Sequence, residues 1–229
     1  MNKITKNIIA VCIVVIPFYL SAFLQKTLIN QSEIFVQKFL GIYMFLSILG
    51  ISVILLTNKY FLKNKWSVFV SPKSKIIIDI SLGFLLLCFS YFIISLGNIT
   101  YFRWIPIEVD NSAIINLFKE IFSNNLYAII MVGPFIWLNE IFAILSLAFI
   151  LNNLWQISYK KHWIWISIFA VAMLFTLLQI DKGIPSMINT FLIISFSNFI
   201  YYKYRSIYPL LIAGIIYQSI DLIRFWIYF

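Results

Sequence analysis

The sequence predicts an all-α integral membrane protein, a polytopic bundle of about seven transmembrane helices in one domain over residues 1–229. Of its 229 residues, 62% are hydrophobic and only 11% are charged, whereas a soluble domain has about 45–50% apolar and about 25% charged residues. The apolar residues form continuous runs instead of alternating, which excludes a transmembrane β-barrel. This composition also excludes a cytosolic enzyme and a disordered chain.

Seven apolar runs are the predicted spans. Because a span takes about 20 residues, seven of them with short connectors fill the chain and leave no room for a soluble domain. The runs lie at Asn7–Leu24, Phe39–Thr57, Ile76–Ile99, Leu126–Leu151, Trp163–Ile180, Ile184–Tyr202 and Ile207–Ile223.

The positions of the basic residues predict the orientation. With the N-terminus inside, eleven of the 17 Lys and Arg residues fall on inner segments and the other six on outer ones. Cytoplasmic loops carry such an excess, so we expect a cytoplasmic N-terminus and an outer C-terminus in a prokaryotic cell membrane. The net charge of +9 then reflects topology. Because the basic residues are scattered over short loops, no nucleic-acid partner is expected.

Two extramembrane segments have patterns of their own. The loop 59–75 interleaves five lysines with Phe61, Trp66 and Phe69, which favours membrane lipid of the anionic inner leaflet as a partner over a protein-docking patch. The segment 104–125 has apolar residues at helical spacing and predicts an amphipathic helix on the outer interface. We expect it to be a connector, with a lid or partner-binding element as the alternative.

Polar residues inside the spans are the candidates for function. Glu140 lies near the middle of the fourth run, beside Asn139, where a carboxylate costs about 2.5–3.5 kcal/mol. Pro134 should leave the Ile130 carbonyl unpaired and kink the helix toward a polar interior. Glu140 is therefore predicted to be a functional group, with a protonated or hydrogen-bonded structural link between helices as the alternative.

The last span carries a second polar constellation. Gly214, Gln218 and Asp221 share one helix face, and Arg224 is placed to neutralise Asp221. This face predicts either a polar seam that holds the bundle or part of a site. Further amides lie in the fifth and sixth spans and are expected to bond across helices: Gln179, Asn189 and Asn198.

The sequence lacks the residue sets that several kinds of catalytic site require. The one histidine, His162, lies at a membrane edge, and Cys12 and Cys88 lie in separate spans, so neither a zinc site nor a Ser-His-Asp or Cys-His arrangement is expected. No P-loop or Gly-rich nucleotide turn occurs. No metal and no cofactor are therefore expected.

Three stretches in order resemble the motifs of a known family, the CPBP or Abi proteins, which are CAAX-protease-like intramembrane glutamic endopeptidases. Gly133–Phe149, GPFIWLNEIFAILSLAF, resembles the first motif, a Pro and then EExxxR. Ala170–Gln179 resembles the second, FxxxH, and Ser206–Asp221 resembles the third, HxxxN or HxxxD after a YP-like entry. The resemblance implies a motif-bearing core over 126–223, preceded by variable leading helices over 1–125.

The departures from the family fall on its catalytic positions. Carried over position by position, the paired glutamates become Asn139 and Glu140, and the motif arginine becomes Ile144. The second-motif histidine, which in the family activates water together with the first glutamate, becomes Gln179.

The third motif, which in the family steadies the oxyanion, is also changed. Its histidine becomes Gly214, and its Asn or Asp becomes Gln218. Asparagine and glutamine have no usable pKa near neutrality and cannot take a proton. Only Glu140 remains as a possible base, and only if its position has exchanged roles with that of Asn139.

These residues predict a pseudoenzyme of the CPBP type. We expect it to bind a peptide or a membrane-protein partner, for immunity to a bacteriocin-like peptide or as a scaffold for an envelope enzyme. One alternative is an active intramembrane CAAX-type peptidase that works from Glu140, and a more remote one is a small transporter.

Overall fold

The computed structural model describes residues 2–29, 36–64, 69–70, 75–104, 133–180 and 183–228. Beyond Trp104, the predicted amphipathic helix over 104–125 lies outside these residues. The described part is helical, with a short π-helical turn at Thr57–Phe61 and an isolated antiparallel bridge. Its α-helices are α1 (Lys3–Ile29), α2 (Val36–Leu56), α3 (Ile76–Trp104), α4 (Gly133–Ile157), α5 (Lys161–Leu177), α6 (Gly183–Tyr204) and α7 (Tyr208–Tyr228).

Helix α4 is the centre of the bundle. It packs against α1, α2, α5, α6 and α7, and every residue from Ile144 to Asn153 is buried. In its apolar segment 61% of residues are buried, against 22–28% in the other long apolar helices. A helix that is covered on all sides needs apolar residues all round, and the sequence of α4 provides them. Helix α3 packs on α6 and α7.

The outward faces of the other helices are apolar. Ile16, Ile77, Phe84 and Phe92 are each at least 51% exposed, and such surface is favourable against hydrocarbon and not against water. Among the described residues, five helices are long and apolar enough to cross a membrane. Their candidate segments are Lys3–Leu20, Met44–Phe61, Ile76–Gly97, Ile136–Ile157 and Gly183–Tyr204.

The fourth predicted span and its proline correspond only partly to α4. That span was expected over Leu126–Leu151, of which residues 126–132 lie outside the described part, and α4 continues to Ile157. Pro134 is the second residue of α4 as described. The kink stays a prediction because the Ile130 carbonyl lies outside the described residues. A second proline, Pro17, lies inside α1.

Two details of the connectors differ from expectation. Helix α5 ends at Leu177, so Gln179 lies in a turn after the helix, where its N–H bonds the Thr176 carbonyl at 2.9 Å. Phe69 was expected to face membrane lipid, but it is fully buried in the core. The next residue, Val70, forms the isolated bridge with Ser206, which lies between α6 and α7.

A polar cluster joins the ends of α4 and α6. Arg205, directly after α6, donates a hydrogen bond from Nη1 to Asn152 Oδ1 at 3.1 Å. Its guanidinium lies over the Trp155 ring, 4.3 Å from the centroid, and 5.7 Å from that of Tyr202. Asn152 Nδ2 in turn donates to the Tyr201 hydroxyl. These contacts fix α4 relative to α6 through a charge that stacks on aromatic rings.

We expect removal of the Arg205 side chain to destabilise the bundle by about 1–2 kcal/mol, since a stacked and hydrogen-bonded guanidinium is lost. Arg205 has a φ of 53°, a conformation that favours glycine. Arg205→Gly should therefore be less destabilising than Arg205→Ala by about 1 kcal/mol. Unfolding by SDS in mixed micelles measures both changes. Lys203→Ala, which removes an exposed neighbouring cation, is the control and should have little effect.

Candidate functional site

Helices α3, α4, α6 and α7 line a cavity of about 480 Å³, within the range of about 300–1,000 Å³ that ligand pockets occupy. Five of the six motif positions line this cavity: Glu140, Ile144, Gln179, Gly214 and Gln218. Helix α4 supplies Glu140 and Ile144, the turn after α5 supplies Gln179, and α7 supplies the other two. The sixth position, Asn139, is half-buried and is not among the described lining residues.

Glu140 reaches across to α7. Its Oε2 accepts a hydrogen bond from Gln218 Nε2 at 3.3 Å. A Cβ atom on Gly214 would lie 2.8 Å from both Cγ and Cδ of Glu140 and still closer to Oε1. The carboxyl group therefore fills space that only a glycine leaves open. One turn nearer the beginning of α4, Trp137 Nε1 donates to Ser219 Oγ at 3.0 Å, so two hydrogen bonds fix the α4–α7 crossing.

Asn189 is a cavity residue whose position the sequence did not reveal. It is only 8% exposed, and its Oδ1 has no hydrogen-bond partner among the described residues. A Cβ atom on Gly97 of α3 would lie 2.7 Å from Asn189 Nδ2, so this amide also packs against a glycine of a neighbouring helix. Asn198, by contrast, bonds across helices as expected, donating from Nδ2 to the Ile168 carbonyl at 2.9 Å.

The rest of the cavity wall is mixed. Hydroxyl groups lie along α3 and α6, and aliphatic side chains of all four helices separate them. The hydroxyl-bearing residues of these two helices are Ser90, Ser186, Thr190 and Ser197, and the aliphatic ones include Leu86, Ile144, Ile193 and Leu210. Such a wall offers an apolar volume with polar groups at chosen points, which is the usual composition of a binding site.

The polar seam predicted on α7 divides into two parts. Gln218 and Gly214 face the cavity, whereas Asp221 and Arg224 pair with each other at 3.6 Å outside the lining. The Arg224 guanidinium lies over the Tyr91 ring of α3, 5.3 Å from its centroid. This second pair therefore joins α7 to α3, and Arg224 does not line the cavity beside Glu140.

The cavity supplies hydrogen bonds but few ionisable groups. Within the described lining, Glu140 is the sole carboxyl and Tyr217 the sole other ionisable residue. His162 is exposed at the beginning of α5, so the length of that helix, about 25 Å, separates it from Gln179. No group of three or more His, Cys, Asp or Glu residues that could hold a metal ion occurs in the part of the chain that the structure describes.

No family model matches the chain, and no curated protein or solved structure matches it either. The relation to the CPBP proteins therefore stays a prediction from the three motifs. What the cavity binds is inferred below from its own geometry and chemistry.

The contact between Gly214 and Glu140 gives a test of the site. We expect Gly214→Ala to destabilise the bundle by about 1–2 kcal/mol, because the new methyl group overlaps the carboxyl group of Glu140, which must move and give up its bond with Gln218. Adding Glu140→Ala should remove most of this effect by clearing the overlap. SDS unfolding of both single variants and the double variant measures the coupling.

Gly41→Ala is the matched control for this experiment. Gly41 lies in α2, and an added Cβ atom there would have no neighbour within 4 Å. The change should be neutral or stabilise the helix by up to about 1 kcal/mol. Equal destabilisation by the two substitutions, or strict additivity of Gly214→Ala and Glu140→Ala, would contradict the packing of Glu140 against α7.

Proposed function

We propose that the chain is a CPBP-like integral membrane protein without peptidase activity that binds a peptide or a membrane-protein partner in this cavity. The observation that carries the proposal is the composition of the wall. Amide and hydroxyl groups surround a single carboxyl group, and the described lining contains no histidine, lysine or second carboxyl to exchange protons with it.

The amides suit a peptide backbone as ligand. Each amide side chain has both a donor and an acceptor, so it can pair with the N–H and C=O groups of an extended segment. Gln179 lies in the turn after α5 and Asn189 lies on α6, so the two amides belong to different elements of the wall from each other and from Glu140 on α4. A bound segment therefore meets hydrogen-bonding groups from several elements, while the aliphatic side chains accommodate its apolar residues.

The membrane setting that we propose has seven spans, with the N-terminus in the cytoplasm and the C-terminus outside, in a prokaryotic cell membrane. Helices α5 and α7, added to the five candidate spans, bring the proposed number to seven. A span as short as the 17 residues of α5 is accommodated by local thinning of the bilayer. In α7, which has 21 residues, the pairing of Asp221 with Arg224 lowers the cost of both charges.

Two biological roles fit such a binding protein. It could confer immunity to a bacteriocin-like peptide by capturing that peptide in the membrane, or it could hold an enzyme of the cell envelope as a scaffold. Both roles need affinity for a segment of another chain and neither needs proton transfer. Both follow from the resemblance to the CPBP family and from the hydrogen-bonding groups of the cavity.

The peptidase alternative asks more of Glu140. As a base it must receive a proton from water and pass it to a leaving amine, and in the family a histidine assists. Here the positions that correspond to the family's histidines carry Gln179 and Gly214, neither of which takes up a proton near neutrality. The geometry therefore favours binding over cleavage.

Filling the cavity tests the proposed function without changing its charge. The wild-type protein, purified from its own membranes in mild detergent, should retain a stoichiometric peptide or membrane-protein partner. Thr190→Phe places an aromatic ring in the cavity from α6, and the retained partner should fall to about a tenth or less because the ring occupies its space. Mass spectrometry of the purified complexes measures the partner.

Ala170→Phe is the control for this change. Ala170 is exposed on α5, so an added ring there should leave both the fold and the partner in place. Equal retention by all three proteins would contradict binding in the cavity. Cleavage of candidate prenylated or leader peptides by the wild type, lost on Glu140→Ala with the protein still folded, would establish the peptidase alternative instead.

A further inference from the structure

The cavity contains one acidic side chain and no described basic one. Glu140 is the sole carboxyl group in its described lining, and in an apolar bundle such a group ionises readily only where a cation or several hydrogen bonds stabilise it. The contact that Glu140 makes with Gln218 is a single hydrogen bond of 3.3 Å from a neutral amide. The amide of Gln218 brings no positive charge to the carboxyl group.

The basic group nearest along α7 is engaged elsewhere. Arg224 pairs with Asp221 at 3.6 Å, and its guanidinium lies over the ring of Tyr91. It does not line the cavity, and neither does any other lysine or arginine of the described residues. The described lining therefore offers Glu140 no counter-charge, and a cationic molecule that enters the cavity would supply one.

A second observation shows what kind of cation fits. Asn189 Oδ1 is an acceptor in a side chain that is only 8% exposed, and it has no donor among the described residues. Gln179, whose side chain also ends in an amide, lines the same cavity. A primary ammonium group carries three N–H donors and no acceptor. It can therefore bond a carboxylate and amide oxygens at once.

From this arrangement we infer that the cavity is a binding site for a primary ammonium group on an aliphatic stem, such as a lysine side chain of the bound partner. Glu140 supplies the counter-charge, and Asn189 and Gln179 supply further acceptors. The aliphatic residues of the wall cover the methylene stem, as apolar surfaces do for the stems of lysines elsewhere. The inference rests on the proposed function, because it states which group of the partner the cavity recognises.

Small amines test the site on the full-length protein in neutral detergent. Hexylammonium should raise the midpoint of thermal unfolding in a saturable way, because it binds the folded state. Hexanol has the same stem without the charge, and hexyltrimethylammonium has the charge without an N–H donor. Both should need at least about tenfold higher concentration for the same shift. Equal responses to hexylammonium and hexanol overturn the inference.

Variants of the carboxyl group show whether Glu140 is the counter-charge. Glu140→Gln should weaken hexylammonium binding by at least about tenfold, since it keeps the shape and removes the charge. Glu140→Asp keeps the charge and should retain saturable binding, which also guards against a folding defect in the amide variant. Asp221→Asn is the matched control on α7 and should bind as the wild type does. Unchanged affinity in Glu140→Gln overturns the site.

The ammonium site and the proposed function can fail separately. A partner that is retained equally by the wild type and by Glu140→Gln would overturn the ammonium site and leave partner binding in place. Saturable hexylammonium binding without any retained partner would support the site and assign it to a free amine. Loss of the partner from Glu140→Gln, with Glu140→Asp retaining it, supports both.

Discussion

Polar groups inside an apolar bundle must be satisfied by other parts of the protein, because hydrocarbon offers them no hydrogen bonds. The central helix α4 is held by this constraint near both ends. Toward its beginning, Trp137 and Glu140 bond side chains of α7. Toward its end, Asn152 bonds α6 and the arginine that follows it, and Trp155 Nε1 bonds Ser167 Oγ of α5 at 2.7 Å. These bonds set the rotation and the height of α4, and the cavity lies on the side of α4 that faces α7.

The helices could be predicted from the sequence because each apolar run is long enough to be recognised by length alone. The residues at which the helices end, and the environment of the residues between helices, could not be predicted in this way. A turn that ends α5 at Leu177 has the same apolar composition as a continued helix, so the sequence extended the span through Ile180. The lysines on both sides of Phe69 are equally compatible with contact to lipid and with burial in the core. Its burial depends on the bridge between Val70 and Ser206, which joins distant parts of the chain.

The candidate site was predictable in part for a related reason. Motif spacing identified Glu140 and four other cavity residues, although it also included Asn139, which the described lining does not contain. Asn189 could be recognised as a buried amide but not as a cavity residue. What places it there is its packing against Gly97 of another helix, and no spacing within one helix reveals such a pair.

The glycine at position 214 bears on how the proposed loss of catalysis is to be understood. Under the proposed relation to the CPBP peptidases, this position carried a histidine, yet the carboxyl group of Glu140 now occupies the space beside its Cα. A histidine could return there only if Glu140 moved, which would also break its bond with Gln218. The two positions are therefore sterically coupled. Their present state is a packed arrangement of its own, in which Glu140 lies in the cavity and Gly214 leaves the space that its carboxyl group fills.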